Sequence, residues 1–301
     1  MTALASRPAT PPQTRGVGHL ITPVLTAVAS TLAVVATYRL FVLSSLGQSI
    51  DTQALRNSEV GHERATDVME RTLNGTSLAG LVLVCLAVGL IGLIRRRLDL
   101  AVAAGVMVLG ANLTTRLLKT ALPRPELDGF PAPNSFPSGH MAAAASVAFA
   151  LMLVLPGAIR GAVALIGAGY VSVIAVATVW AEWHRPSDTI AALLIVLAWG
   201  AAVAFLLRLW RFRRPGALDR PSRLTTVLFV AGGAIAAAVA AVGLGAVALS
   251  ERVTPDLVSG RFAFLTGAAA IVAVVAATFF IWMRLSAGEQ PAAVPDKEAQ
   301  S

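Results

Sequence analysis

The sequence predicts an all-α bundle that crosses a membrane several times, and three observations carry that prediction. Only 13% of the 301 residues are charged and 56% are hydrophobic, whereas a typical soluble domain is about 25% charged. The apolar residues are gathered into runs of about 20, the length of a helix that spans a hydrocarbon core about 30 Å thick. The net charge of +8 lies in arginines that flank those runs, which is a topology signal rather than a nucleic-acid footprint. A soluble globular enzyme and a nucleic-acid-binding protein are both excluded on these grounds. The single cysteine, Cys85, sits inside an apolar run, so neither an intramolecular disulfide nor a cysteine metal cluster is expected.

Apolar runs occur near residues 18–46, 77–94, 98–120, 138–157, 161–182, 187–209, 225–249 and 263–284, giving eight candidate spans. The first run outlasts a signal-peptide core and is followed by no small-residue cleavage site, so a retained helix is expected. Residues 1–17 and 285–301 are polar or Pro-rich and are expected to be disordered cytoplasmic tails. The Arg95–Arg97 cluster and the basic loop over residues 211–224 mark the cytoplasmic side, which places both termini inside. The longest outside segment is 47–76. There Leu55, Val60, Val68, Met69 and Leu73 recur at roughly helical spacing among Asp51, Glu59, Glu63, Arg64, Asp67 and Glu70. That pattern fits an amphipathic helix lying on the membrane over a lipid access path, and equally a solvated surface helix.

Two short, polar, proline-bearing segments stand at the edges of apolar runs: Phe136-Pro137-Ser138-Gly139-His140 and His184-Arg185-Pro186-Ser187-Asp188. Two runs separate them, so the chain crosses and returns, and both histidines reach the same face. A two-histidine phosphoryl-transfer site needs that arrangement. The loop from Pro123 to Pro137 holds five prolines and cannot be helical throughout. Ser138 is therefore expected to cap the next helix. Gly139 would leave room for an anion beside free backbone N–H groups, with His140 placed to donate a proton. A capped helix with an interfacial histidine fits the same residues.

His184 and Asp188 are four residues apart and share a face if a helix starts near Pro186. Asp188 could then hold one ring nitrogen and leave the other free to attack. An ion pair at a membrane edge is the other reading. Phosphoryl transfer also calls for cations. Lys119 and Arg124 flank the start of the Pro-rich loop, and Arg116 lies one turn before Lys119. Each of these alone also fits a snorkelling interfacial base.

These residues resemble the motifs of the type 2 phosphatidic acid phosphatase (PAP2) superfamily over roughly residues 18–210. The Pro-Ser-Gly-His motif matches at Pro137-Ser138-Gly139-His140, and the His-x-x-x-Asp part of the third motif at His184 and Asp188. The family's first motif places Arg-Pro seven residues after its Lys; here Glu126 holds that position and Arg124-Pro125 comes five after Lys119. The Ser-Arg of the third motif falls at Ala177-Thr178, so that Arg is absent, and Arg185 or Arg116 is left to replace it.

The resemblance implies a six-helix core, to which residues 225–284 add two C-terminal spans. By family role His184 is the nucleophile, His140 the general acid and Asp188 the orienter of His184. Lys119, Arg124, Ser138, Gly139, Arg185 and Arg116 form the phosphate-binding set. No metal and no other cofactor is implied. The implied activity is hydrolysis of a lipid phosphate at the outer leaflet of a bacterial plasma membrane, through a phosphohistidine. Implied substrates are polyprenyl (di)phosphates, phosphatidic acid and phosphatidylglycerol phosphate. The alternatives are a phosphotransferase with the same intermediate, or a non-catalytic lipid-binding or transport protein with a degenerate core. The bilayer and a lipid substrate are the expected partners.

Overall fold

The computed structural model describes residues 18–56, 78–131, 133–210, 222–253 and 257–287, and within them the chain is helical with no strand. Among the described residues nine α-helices follow one another: α1 Gly18–Thr37, α2 Ser45–Arg56, α3 Leu78–Ile94, α4 Leu98–Ala121, α5 Gly139–Val154, α6 Gly157–Trp180, α7 Pro186–Trp210, α8 Arg223–Val253 and α9 Gly260–Ala287. A single π-helical turn, Tyr38–Val42, extends α1. Among the described residues six helices are long and apolar enough to cross a membrane: Leu20–Val42, Leu98–Ala121, Gly157–Trp180, Pro186–Trp210, Arg223–Val253 and Gly260–Ala287. The other two expected spans are the shorter apolar helices Val82–Ile94 and Gly139–Val154. The expected polytopic helical bundle is what the chain forms.

α7 is the axis of the bundle. It packs along α1, α4, α5 and α9, and Leu193, Val196, Ala201 and Ala204 on it are wholly buried. The last helix, α9, is built into this core. α9 packs on α8, α7, α6 and α2. Its Trp282 is fully buried, stacks on Phe149 of α5 with ring centroids 5.2 Å apart, and donates Nε1 to Phe149 O at 3.0 Å. Gly200 on α7 admits that indole: a Cβ there would stand 3.1 Å from the ring. Residues 285–287, expected in the disordered tail, instead complete α9 and are buried. Arg208 donates to Leu285 O at 2.6 Å, so a cation meets the carbonyl end of the helix, where it is stabilising.

The described part of segment 47–76, residues 47–56, departs from expectation. Residues 45–56 form a helix with one face buried in the bundle rather than turned to solvent. Gly47, Gln48, Asp51, Thr52, Ala54 and Leu55 are buried against α7, α8 and α9. The reason is composition. The buried face is half polar, and each polar side chain on it finds a hydrogen-bonding partner in the bundle, which offsets its desolvation. The remainder of that pattern, Glu59, Val60, Glu63, Arg64, Asp67, Val68, Met69, Glu70 and Leu73, lies outside the described residues, as do residues 1–17, 211–221 and 288–301.

Candidate active site

The site lies where the loop after α4 meets the starts of α5 and α7. Ser138 caps α5: its Oγ accepts from Met141 N at 3.3 Å. Pro186 opens α7 at the first helical position, where its missing N–H costs nothing. The two starts are tied directly, because Ser138 N donates to Asp188 O at 3.0 Å. Just upstream, the amides of Trp183 and His184 both donate to Thr178 O, at 3.0 and 3.1 Å. The backbone of Thr178, the position where the resemblance leads one to expect an Arg, ends α6 and sets His184.

The histidines that the sequence places on one face are neighbours. The rings of His140 and His184 lie 5.8 Å apart, centroid to centroid and edge-on, and Trp183 lies 5.5 Å from His140. His184 Nδ1 stands 3.6 Å from Asp188 Oδ2. That is an ion-pair distance, beyond a normal hydrogen bond, and the buried Nδ1 has no other partner. Turning Nδ1 toward Asp188 leaves Nε2 as the nitrogen free to attack.

Asp188 is fully buried, and its oxygens are well occupied. Oδ1 takes Arg124 Nη1 at 3.1 Å; Oδ2 takes Ser135 Oγ at 2.5 Å and Arg185 N at 2.9 Å. Arg124 thus reaches the site from a loop two residues shorter than the family spacing. Its Nη2 lies 3.9 Å from Asp51 Oδ2 and makes no hydrogen bond. Lys119 is half-buried at the end of α4, near enough for its charge to act on both His140 and Asp188. A Cβ at Gly139 would meet nothing within 4 Å, so space is open beside the first turn of α5.

Two cations are placed differently from the rest. Arg185 is buried, and its Nε donates to Thr52 Oγ1 at 3.1 Å, so it faces α2. Arg116 is exposed on α4, outside the cluster. Arg124 and Arg185 both line a cavity of about 400 Å³ with Gln48, Glu126, Phe130 and Pro133.

Sequence reasoning missed several residues. Ser135 holds Asp188, and Asn134 fastens the loop by donating to Lys119 O at 3.0 Å and Leu122 O at 2.9 Å. Asp51 takes Ser187 N at 3.1 Å on Oδ1 and Ser187 Oγ on Oδ2. Its pKa is pushed up to about 7, first by burial and then by the nearby Asp188 carboxylate, against the pull of Ser187 and Arg124. The available signal was the polar stripe Gln48, Asp51, Thr52 at helical spacing.

A family model described as the PAP2 superfamily matches residues 100–216. No curated protein and no solved structure matches the chain. The matched stretch runs from α4 past the end of α7 and contains Lys119, Arg124, Ser138, Gly139, His140, His184 and Asp188, which the fold gathers at one end of a membrane bundle. Over residues 100–216, this chain is similar to the PAP2 superfamily.

Proposed function

We propose that the protein is a membrane lipid phosphatase that acts through a phosphohistidine. The observation that carries this reading is the pairing of His140 and His184, ring centroids 5.8 Å apart, with Asp188 behind His184. Nε2 of His184 attacks phosphorus and forms the P–N bond as the P–O bond to the lipid breaks. The leaving oxygen takes its proton from His140. Water then attacks the phosphohistidine and gives a proton back to His140, which releases phosphate and restores His184. Arg124 and Lys119, with the amides at the start of α5, offset the charge on the phosphoryl oxygens.

A lipid substrate is favoured by a groove of about 520 Å³ among α1, α4 and α7, lined by Val34, Tyr38, Leu118, Leu122, Ile195 and Trp199. Its rim adjoins the site loop, since Tyr38 OH donates to Pro123 O at 2.6 Å. An acyl or prenyl chain in this groove would bring its phosphate toward Lys119 and Arg124. Polyprenyl (di)phosphates, phosphatidic acid and phosphatidylglycerol phosphate are the candidate substrates. The arginines Arg95, Arg96, Arg97 and Arg208 lie at the opposite end of the bundle from the histidines, which favours an outward-facing site in a bacterial plasma membrane.

The test is phosphate release by the purified protein from these lipids, with and without EDTA. Release that persists in EDTA and disappears in His184→Ala is expected. Wild-type turnover in His184→Ala would overturn the mechanism. Phosphate recovered on an added alcohol, rather than free, would make the protein a phosphotransferase. Lipid binding without any labelling of His184 would make it a binding protein.

A further inference from the structure

α2 lies outside the segment that matches the family, yet its buried polar face is bonded to the site's loop and to the start of α7. Gln48, Asp51 and Thr52 are all no more than 5% exposed. Gln48 donates Nε2 to Pro125 O at 2.7 Å and accepts from Leu127 N at 3.0 Å. Thr52 accepts from Arg185 Nε and donates to Asp128 Oδ2 at 2.5 Å. Asp51 is the central one of the three. Its two oxygens take the amide and hydroxyl of Ser187, in the first turn of α7. The start of a helix presents orphan N–H groups and a partial positive charge, so a buried carboxylate from another helix serves there as a cap supplied in trans. The same Oδ2 stands 3.9 Å from Nη2 of Arg124, whose Nη1 is bonded to Asp188.

We propose that Asp51 is a positioning residue of this site. Through Ser187 it fixes the turn that carries His184 and Asp188. With its Oδ2 3.9 Å from Nη2 it holds the Arg124 guanidinium between two carboxyl groups, so that Nη2 remains a donor without a hydrogen-bond acceptor until a phosphoryl oxygen arrives. α2 is then part of the catalytic unit and not a cover over it. The charged groups facing Asp51 are Asp188 on α7, Arg185 just before it and Arg124 in the loop. α1, α8 and α9 present Thr37, Phe41, Leu244, Val247 and Thr266 around it, none of which carries charge. The inference rests on the phosphatase reading for its kinetics, and its geometry can be tested without that reading.

The experiment compares wild type, Asp51→Ala and Asp51→Asn by lipid phosphate hydrolysis, thermal unfolding, and hydrogen exchange of the peptide spanning residues 182–190. The asparagine keeps the size and an acceptor for Ser187 N. Asp51→Ala is expected to lower kcat by about 100-fold, the cost of a small misplacement of reacting groups, with KM changed much less. It should also speed exchange in the 182–190 turn by about tenfold or more, as expected when a buried hydrogen bond is lost. Asp51→Asn should restore most of the exchange protection and part of kcat. A structural role alone would lower the yield and melting temperature of Asp51→Ala but leave kcat per folded molecule intact, and that result would overturn the proposal. Unchanged exchange in Asp51→Ala would also overturn it. A wild-type protein that hydrolyses no lipid phosphate would instead defeat the proposed function, and the exchange result would then decide the role of Asp51.

Discussion

Arg124 Nη1 stands 3.1 Å from Asp188 Oδ1, with the two side chains 4% and 0% exposed. This buried pair joins the loop after α4 to the first turn of α7. Two charges taken out of water hold together only when their remaining hydrogen-bonding capacity is met, and Asp188 meets that demand with Ser135 and the Arg185 amide as well. The loop therefore cannot leave α7 without stripping partners from a buried carboxylate.

Arg124→Ala should break that pair and leave Asp188 short of a partner. A destabilisation of about 3 kcal/mol is expected, together with a large loss of phosphate release. Arg124→Lys retains the charge but not the planar fork, so it should recover only part of either. Thermal unfolding in detergent, with turnover measured on the same samples, checks both.

His140 and His184 should separate by leaving group. His140→Gln removes the proton donor and should slow hydrolysis of lipid phosphates by roughly 10²–10⁴. On p-nitrophenyl phosphate, whose phenolate departs without a proton, the defect should be much smaller. His184→Ala should be inactive on both. An equal loss on the two substrates in His140→Gln would count against its role as general acid.

Asp51 makes stability depend on pH in a defined direction. Its folded pKa of about 7 lies above the ordinary value of 3.8, so between these values the folded state binds more protons than the unfolded state. The contribution of this group to stability is then greatest below about pH 4 and falls as pH rises toward 7, by a few kcal/mol. Asp51→Asn should lose that slope over the same interval. Melting temperatures measured from pH 4 to 8 test it.

Gly267 on α9 presses on the turn that follows His184. A Cβ there would stand 2.8 Å from Pro186 Cγ and 3.4 Å from Ala54 Cβ, and a proline ring at a helix start cannot easily give way. Gly267→Ala should cost about 1–3 kcal/mol and reduce turnover by shifting α7. Gly245→Ala on α8 serves as the control. Its Cβ would meet nothing within 4 Å, and alanine is the better helix former, so stability should hold or rise slightly while activity stays unchanged.

Much of the architecture was legible from local properties. The runs of apolar residues located the helices because a lipid-facing helix must satisfy its own backbone and present hydrocarbon outward. Ser138 after a Pro-rich loop identified a helix cap, and Pro186 a helix start, since both depend on a few adjacent residues. The parity of the crossings put His140 and His184 at one end.

What surrounds those histidines was decided by tertiary structure. Asp51 reads in the sequence as one more charge on a surface helix; only packing against α7 makes it the partner of Ser187 and Arg124. Ser135 and Asn134 read as loop residues until the loop closes over Asp188 and the end of α4. Trp282 reads as part of a featureless apolar run, because a helix that is hydrophobic all round gives no sign of which face is buried. Periodicity and hydropathy report each segment's own preference for lipid or water. The choice of partner for a buried polar group is made between segments far apart in the chain, so the sequence by itself determined the bundle and the histidine pair, and the fold alone determined what holds that pair in place.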